Sequence, residues 1–305
     1  MDKNINYINE YLKEKFGERT LKICVDGGFS CPNRDGSKSS NGCIFCSERG
    51  SGEHLHCNLS ISQQVQLAFS SIKITRANSF IIYFQNYSNT YGSINSLKQK
   101  YDEAISSFND CADKYKTTNQ ETKKLVGLQI ATRPDCINDD ITKLLANYKE
   151  KLYVAVELGL QTANDDNSNF LNRCYTSKDF ELAVSTLRKY DIDVVAHIMV
   201  GLPTPNGIET HEDIVKTVEF LKSQDIQGLK IHSCYIVKNT YLEKLYLENK
   251  YTPISLETYL GELKYILNNI SKDVVIHRIS GDAPKNILVA PEWCAHKKLV
   301  INEIL

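Results

Sequence analysis

The sequence has no long hydrophobic run, no marked excess of one charge, and no internal repeat or low-complexity tract. Its continuous apolar stretches, such as VVAHIMVGLP, are far shorter than the ~20 residues of a membrane-spanning helix. The formal net charge of -1 provides no overall attraction for nucleic acid, although a local basic patch is compatible with that total. The start, MDKNINYINEYLKEKFG, is polar and helix-like, so we expect neither a signal peptide nor a membrane anchor and predict a cytoplasmic location.

The composition is that of an ordinary folded domain. Of the 305 residues, 42% are hydrophobic and 24% charged, which is typical of a globular protein with a proper core. Ten cysteines are many for a reducing compartment, where clustered thiols indicate metal binding or catalysis more often than disulfides. Seven of them are scattered and predicted to be simply packed side chains: Cys24, Cys57, Cys111, Cys136, Cys174, Cys234 and Cys294.

Short β-branched apolar runs alternate with amphipathic stretches from about residue 20 onward. In the predicted helix SKDFELAVSTLRKY, Phe180, Ala183, Leu187 and Tyr190 form one apolar stripe that would face a sheet. The other predicted helices are ISQQVQLAFSSI, INSLKQKYDEAISSF, INDDITKLLANYKE, HEDIVKTVEFLKSQ and ETYLGELKYILNNI. The predicted strands are TLKICVDG (20–27), SFIIYFQ (79–85), LVGLQIAT (125–132), LYVAVELGL (152–160), DVVAHIMVGL (193–202), GLKIHSCYIV (228–237) and VVIHRIS (274–280).

This alternation predicts an α/β fold with a parallel sheet built from right-handed βαβ units. Six such units are too few for a complete eight-stranded barrel, so we predict a partial (β/α)6 TIM-like barrel. Functional residues are then expected at the carboxyl ends of the strands. The simplest organisation is a helical extension over 1–19, the barrel over 20–240, and a helical and strand appendage over 241–305 that closes the barrel.

A polar loop with three cysteines, CPNRDGSKSSNGCIFCSERG, follows the first predicted strand; we call residues 31–50 the cysteine loop. A thioredoxin-like dithiol would not require Cys31 beside the C-x-x-C pair of Cys43 and Cys46. A zinc knuckle needs a fourth ligand, for which His54, His56 and Cys57 are the nearest candidates. A [4Fe–4S] cluster held by three thiolates leaves its fourth iron open for an exogenous ligand. The absence of an evident fourth cysteine favours the cluster, and the zinc knuckle stays open as an alternative.

The segment CVDGGFSCPNRDGSKSSNGCIFCSERGSG resembles the signature of radical S-adenosylmethionine (SAM) enzymes of the YhcC/YtqA type, which are related to the Elongator catalytic subunit. Most of that superfamily has C-x3-C-x2-C, whereas this sequence has C-x11-C-x2-C. Further stretches resemble that family in its order: YFQNYSNTY, IATRPDC, ELGLQT, LNRCYT, HIMVGLP and HRISGDAP. The resemblance implies a radical SAM barrel in which Cys31, Cys43 and Cys46 hold a [4Fe–4S] cluster. SAM would bind the open iron, and a donor such as flavodoxin or ferredoxin would supply the electron that generates a 5′-deoxyadenosyl radical.

The resemblance also implies SAM contacts at the ends of three strands. Gln85 and Asn86 stand where relatives usually have glycines beside the SAM amino group, so a main-chain contact is expected there. Gln161, with Arg173 twelve residues on, matches a pair that contacts SAM in coproporphyrinogen-oxidase-like relatives. His197 matches a polar residue that contacts the ribose. Each assignment has an alternative. Gln85 and Asn86 could simply cap the end of their own strand, Arg173 could be a surface residue, and His197 could be a core histidine.

Other polar residues at strand ends are predicted to face substrate or to form ion pairs at the barrel rim. Arg133 and His232 belong to this group, and Glu157 is either a pocket residue or an ion-pair partner, because burying it unpaired would be costly. The C-terminal segment also carries a basic, aromatic-bearing stretch that either covers the pocket, binds RNA phosphates or forms a solvated cap. Its residues are His277, Arg278, Lys285, Trp293, Lys297 and Lys298. Asp282, Glu292 and Glu303 offset part of its positive charge.

The resemblance implies tRNA as the substrate, with a wobble uridine converted from its carboxymethylaminomethyl to its aminomethyl form. No motif assigns a residue that acts directly on substrate. Two other hypotheses are a radical SAM enzyme acting on a small metabolite or protein side chain, and a non-catalytic zinc-knuckle binding protein.

Overall fold

The computed structural model describes residues 5–50 and 52–304. Within them, seven longer strands alternate with helices, and four two- or three-residue strands form short pairs near the rim. The strands are β1 (Thr20–Val25), β2 (Ser79–Phe84), β3 (Lys124–Thr132), β4 (Tyr153–Gln161), β5 (Asp193–Val200), β6 (Pro203–Thr204), β7 (Gly207–Ile208), β8 (Gly228–Ser233), β9 (Ile236–Val237), β10 (Val275–Arg278) and β11 (Leu288–Ala290).

The helices surround this sheet and fill the connections between its strands. They are α1 (Ile8–Phe16), α2 (Ile61–Phe69), α3 (Ile94–Asn119), α4 (Asp139–Lys149), α5 (Asp165–Phe170), α6 (Ser177–Arg188), α7 (His211–Lys222), α8 (Tyr241–Leu247), α9 (Leu256–Asn269) and α10 (Lys298–Ile304). Short 3₁₀ turns span Ile72–Arg76, Pro134–Cys136 and Glu292–Ala295. Within the described part of the chain, none of the helices combines the length and apolar composition needed to cross a bilayer.

The main sheet has the order β1-β2-β3-β4-β5-β8-β10, and all its neighbouring strands are parallel. All seven predicted strands contribute to it, and the α/β partial barrel is confirmed. It contains seven strands rather than six, because β10 adds to β8 at the edge. The sheet is strongly curled, since the Lys230 ammonium on β8 lies 3.3 Å from the Tyr83 hydroxyl on β2, although three strands separate β2 from β8. The division into 1–19, 20–240 and 241–305 stays a prediction.

The helices form where apolar residues recur at helical spacing and a capping residue stands at the start of the segment. At the start of α6, Thr176 and Asp179 form a capping box, and the predicted stripe then buries Phe180, Ala183 and Leu187. The third helix is longer than predicted. It continues through NDCADKYKTTN to Asn119, because this stretch contains no glycine or proline and the chain turns only at Gln120, with φ 58°.

Candidate active site

A cavity of about 740 Å³ opens at the carboxyl ends of the parallel strands. This volume lies within the range of small-molecule and cofactor sites. Side chains from β2, β3, β4, β5, β8 and β10 line it, and the cysteine loop and residues 282–286 complete its wall. The cavity therefore lies where the topology of a parallel barrel places functional residues.

Three cysteines lie together on one wall of this cavity. Cys31, Cys43 and Cys46 all line it, and each is partly exposed. A turn joins the latter two, since the Cys46 N–H donates to the Cys43 carbonyl at 3.0 Å. The Arg34 N–H donates to the Cys31 carbonyl at 2.8 Å, which turns the chain immediately after the first cysteine.

The long insert between Cys31 and Cys43 is fastened to the barrel rim. The Asn33 amide donates to the Asn172 carbonyl at 2.6 Å, and the Asn172 amide donates to the Gly42 carbonyl at 2.7 Å. Lys38, in the middle of the insert, forms a 2.6 Å ion pair with Asp135. The insert therefore closes one side of the cavity and fixes the position of Cys43.

The inner end of the cavity contains a buried ion pair. The Lys230 ammonium lies 2.6 Å from Glu157 Oε1, and the Tyr83 hydroxyl donates to Glu157 Oε2 at 2.8 Å. Burial favours the neutral carboxyl, but the charge of Lys230 outweighs it and holds the pKa of Glu157 well below its usual range. His197 Nδ1 lies 3.5 Å from the same carboxylate, and burial together with the charge of Lys230 lowers the pKa of His197 to about 3. At neutral pH Glu157 is therefore a carboxylate and His197 a neutral imidazole, while burial lowers the pKa of Lys230 and the charge of Glu157 opposes that lowering.

Four of the five residues predicted to contact SAM line the cavity: Gln85, Asn86, Gln161 and His197. Asn86 and Gln161 have φ values of 89° and 56°, in the left-handed region that non-glycine residues seldom occupy. Such strained positions cluster at functional sites, because the surrounding structure must hold them in place. The contacts of these four residues with SAM stay predictions.

Arg173 does not lie on the cavity wall, and its predicted contact with SAM stays a prediction. Its side chain is fully buried, with Nε donating to Ser168 Oγ at 2.9 Å and Nη1 donating to the Thr162 carbonyl at 2.8 Å. The guanidinium packs on the ring of Tyr175, at 4.4 Å from its centroid. The Tyr175 hydroxyl in turn donates to Gln161 Oε1 at 2.5 Å. Arg173 therefore supports the side chain that orients Gln161.

Arg133 presents a guanidinium to the cavity at the same rim. Its Nε and Nη2 donate to the two oxygens of Asp135 at 2.9 and 2.8 Å, the carboxylate that also binds Lys38. Its Nη1 lies 3.9 Å from Cys31 Sγ, and the residue lines the cavity. Both alternatives considered for Arg133 are therefore observed, a rim ion pair and a position on the cavity wall.

Protein-family comparisons match residues 37–221 to the Radical SAM superfamily and residues 226–305 to the Radical SAM C-terminal domain. The first match alone covers more than half of the chain. The chain belongs to the radical SAM superfamily. This membership indicates an enzyme, and it implies a [4Fe–4S] cluster and SAM as cofactors.

The relatives of this radical SAM protein differ in how much of their length it covers. It is 33% identical to the uncharacterized protein YtqA of Bacillus subtilis over 99% of this chain and 89% of that protein. It is 29% identical to a tRNA uridine(34) acetyltransferase of Dehalococcoides mccartyi, over 62% of this chain and 40% of that protein. Its fold is similar to that of the archaeal Methanocaldococcus infernus Elp3, with a TM-score of 0.69 at 16% identity, over 93% of this chain and 62% of that one.

The donor set on the cysteine wall fits the cluster of a radical SAM enzyme. Nitrogen donors approach two of the sulfurs, with Asn33 Nδ2 at 3.5 Å from Cys43 Sγ and Arg133 Nη1 at 3.9 Å from Cys31 Sγ. Arg34 donates to the carbonyl of Cys46 at 2.9 Å, which adds positive charge beside the third thiol. Such donors tune iron–sulfur clusters. Burial raises the pKa of Cys43 to about 12, so cluster binding releases a proton from this thiol at neutral pH.

The zinc-knuckle alternative requires four ligands that converge on one ion. In the described residues no group of three or more His, Cys, Asp or Glu side chains converges in this way. Of the candidate fourth ligands, His54 lines the cavity, whereas Cys57 is exposed with its Sγ 2.8 Å from Arg49 Nη2. A cubane cluster places its three thiolates on three separate irons, so it does not require their convergence on a single point.

Some cavity residues were not singled out from the sequence. Lys230 and Tyr83 belong to the inner ion pair, and Tyr175 lies between the two arginines that pack on it. A signal for Lys230 does exist, because it is a charged residue inside the apolar strand GLKIHS, as Glu157 is inside YVAVELGLQ. Nothing in the local sequence pairs these two residues, which are brought together only by the curl of the sheet.

Glu209 fixes the turn that follows β5, and its protonation predicts a pH effect. Its Oε2 accepts from the Gly201 N–H at 3.2 Å, and burial raises the pKa of Glu209 to about 8. Because this pKa lies above the ordinary 4.5, the contribution of Glu209 to the free energy of unfolding is fully present below pH 4.5. It declines as the pH rises toward 8. We expect Glu209→Gln, which cannot ionise, to gain on the order of 2 kcal/mol over the wild type at pH 8.5 and little at pH 5. Thermal unfolding at both pH values checks this, and an equal difference at the two would contradict it.

Proposed function

We propose that this radical SAM enzyme acts on tRNA, converting the carboxymethylaminomethyl group of a wobble uridine to an aminomethyl group. The observation that carries this proposal is a single cavity with three thiols on one wall and a polar, charged inner end beyond them. That arrangement suits a cluster and SAM at one side and an extruded nucleoside at the other. The relative named as a tRNA uridine(34) acetyltransferase and the fold shared with Elp3 support tRNA as the substrate class, although this chain spans only 40% and 62% of those proteins.

The chain's own residues divide into two groups in this proposal. Cys31, Cys43 and Cys46 would hold the cluster; when bound, the cluster and SAM would supply a 5′-deoxyadenosyl radical that takes one hydrogen atom from the carboxymethyl carbon. Loss of one further electron, returned to the oxidised cluster, and addition of water would then break the carbon–nitrogen bond, so that the two-carbon unit leaves as glyoxylate and the amine stays on the uridine. We assign SAM binding to Gln85, Asn86, Gln161 and His197, which line the cavity, and we assign the SAM carboxylate to Arg133 rather than Arg173. The walls of the barrel exclude water from the radical. A donor such as flavodoxin or ferredoxin supplies the electron.

Arg133 and Arg173 are expected to differ in what their loss affects. Arg133→Gln should weaken SAM binding about 10- to 100-fold at unchanged iron content, because it removes a charged donor from the wall. Arg173→Gln should lower the unfolding temperature first, because Thr162 and Ser168 lose a buried donor. Anaerobic equilibrium dialysis with SAM and thermal unfolding distinguish the two effects. An Arg173→Gln protein of normal stability that loses SAM affinity as strongly as Arg133→Gln would restore the direct contact and contradict this assignment.

The substrate is tested by nucleoside analysis of tRNA from a strain lacking this gene. We expect carboxymethylaminomethyluridine to accumulate and aminomethyluridine to disappear, with both restored by the wild-type gene but not by a Cys43→Ser copy. Unchanged wobble-uridine profiles would remove tRNA from the proposal and leave a small metabolite or a protein side chain as the substrate class.

A further inference from the structure

Two cations on the cavity wall form no ion pair with any described residue. Arg278 ends β10, and Lys285 lies in the segment that follows it. Both side chains are exposed and both line the cavity. Among the described residues, no carboxylate lies within ion-pair distance of either one. A guanidinium facing a cavity without a counter-ion is available to an anion that enters it.

The carboxylates of the cavity are already engaged by other groups. Glu157 is bound by Lys230 and Tyr83, and Asp282 forms a 2.6 Å ion pair with Lys297. Glu53 accepts a hydrogen bond from Ser47. An incoming anion therefore does not have to displace an internal partner in order to reach Arg278.

Along the strands, the backbone of Arg278 lies level with the inner ion pair. Its Cα is paired in the sheet with Lys230, the partner of Glu157 at the inner end of the cavity. His54 also lines the cavity, and its pKa is lowered by burial and further by the nearby charge of Arg278. The guanidinium therefore lies near both the Lys230 side of the inner ion pair and the segment that follows the cysteine loop.

We infer that Arg278 binds the carboxylate of the carboxymethylaminomethyl group on the substrate uridine. This inference rests on the proposed function. The planar guanidinium can form two parallel hydrogen bonds to that carboxylate. Substrate and product both carry a protonated amine at neutral pH, but the product has lost the carboxylate that offsets this charge, so Arg278 repels it. One residue thereby favours binding of the substrate and release of the product.

The test measures how tightly the anaerobic, cluster-containing enzyme binds two anticodon stem-loops. One RNA carries carboxymethylaminomethyluridine at the wobble position and the other carries aminomethyluridine. The wild type should prefer the first, and Arg278→Gln should weaken that RNA about 10- to 100-fold while changing the second by less than 3-fold. Arg278→Lys keeps the positive charge but lacks the planar guanidinium, so its affinity for the first RNA should lie between those of the wild type and Arg278→Gln. The matched control is Arg76→Gln, an exposed arginine before the amino end of β2, which should bind both RNAs like the wild type.

The other outcomes separate the ways in which this inference can fail. Equal weakening of both RNAs would place Arg278 on an RNA phosphate, and loss of SAM binding alone would place it on the SAM carboxylate; either overturns the inference. Unchanged binding overturns it as well. In all three cases a wild-type enzyme that still converts the first RNA leaves the proposed function standing. A wild type that neither prefers nor converts that RNA overturns the proposed function together with the inference.

Discussion

Cys43→Ser is expected to yield a colourless protein that binds no [4Fe–4S] cluster and does not cleave SAM. A serine hydroxyl is a poor replacement for a thiolate on iron, and the two remaining cysteines hold only two of the three irons that require a protein ligand. Cys31→Ser and Cys46→Ser should behave alike, because all three thiols lie on the same wall. Iron and sulfide content, the absorbance of the anaerobically reconstituted protein, and 5′-deoxyadenosine formation with a chemical reductant measure the effect.

Two other cysteines provide controls, one just after the cysteine loop in the chain and one on a helix away from it. Cys57 follows the cysteine loop but is exposed and points to Arg49, and Cys111 lies on α3, partly buried against the core. Serine at either position should leave the cluster and SAM cleavage intact. Loss of the cluster in Cys57→Ser would indicate a site with four ligands that includes Cys57. Equal loss in all the variants would show that the assignment of Cys31, Cys43 and Cys46 as the cluster ligands is wrong.

Lys230→Met is expected to lower the free energy of unfolding by about 3–5 kcal/mol, because it leaves the Glu157 carboxylate buried without its cation. The side chains of Glu157 and Lys230 are only 5% and 10% exposed, so water cannot replace the lost partner. Denaturant unfolding under anaerobic conditions measures the loss. The effect should also shrink on acidification, because the low pKa of Glu157 contributes stability above the ordinary 4.5 that is lost as pH falls below it.

The double variant Glu157→Gln, Lys230→Met is the sharpest control for this pair. It removes both charges while keeping an oxygen that can accept from Tyr83, so much of the lost stability should return. A Lys230→Met protein within 1 kcal/mol of the wild type, or a double variant as unstable as the single one, would contradict the assignment of a buried ion pair.

The barrel could be predicted from the sequence because its signals are local. Each strand is a short β-branched run and each helix presents one stripe, as Phe180, Ala183 and Leu187 do on α6. The grouping of the three cysteines was likewise predictable, since Cys43 and Cys46 are neighbours in the chain and Cys31 begins the same loop. They line the cavity because their loop follows the carboxyl end of β1, and the cavity opens at the carboxyl ends of the strands.

Side-chain direction and contacts across the barrel could not be predicted in this way. The spacing of Gln161 and Arg173 matches a known pair, but the turn through α5 inserts Tyr175 between Arg173 and the cavity. Lys230 and Glu157 are 73 residues apart and meet only because the sheet curls. No local period encodes such a contact, which depends on the closure of the whole barrel.

The proposed conversion is tested most directly with purified, anaerobically reconstituted protein, SAM, a reductant and tRNA bearing carboxymethylaminomethyluridine. We expect 5′-deoxyadenosine together with aminomethyluridine at the wobble position, both absent when SAM is omitted or when Cys43→Ser replaces the wild type. Formation of 5′-deoxyadenosine while the tRNA nucleosides stay unchanged would contradict the proposed substrate.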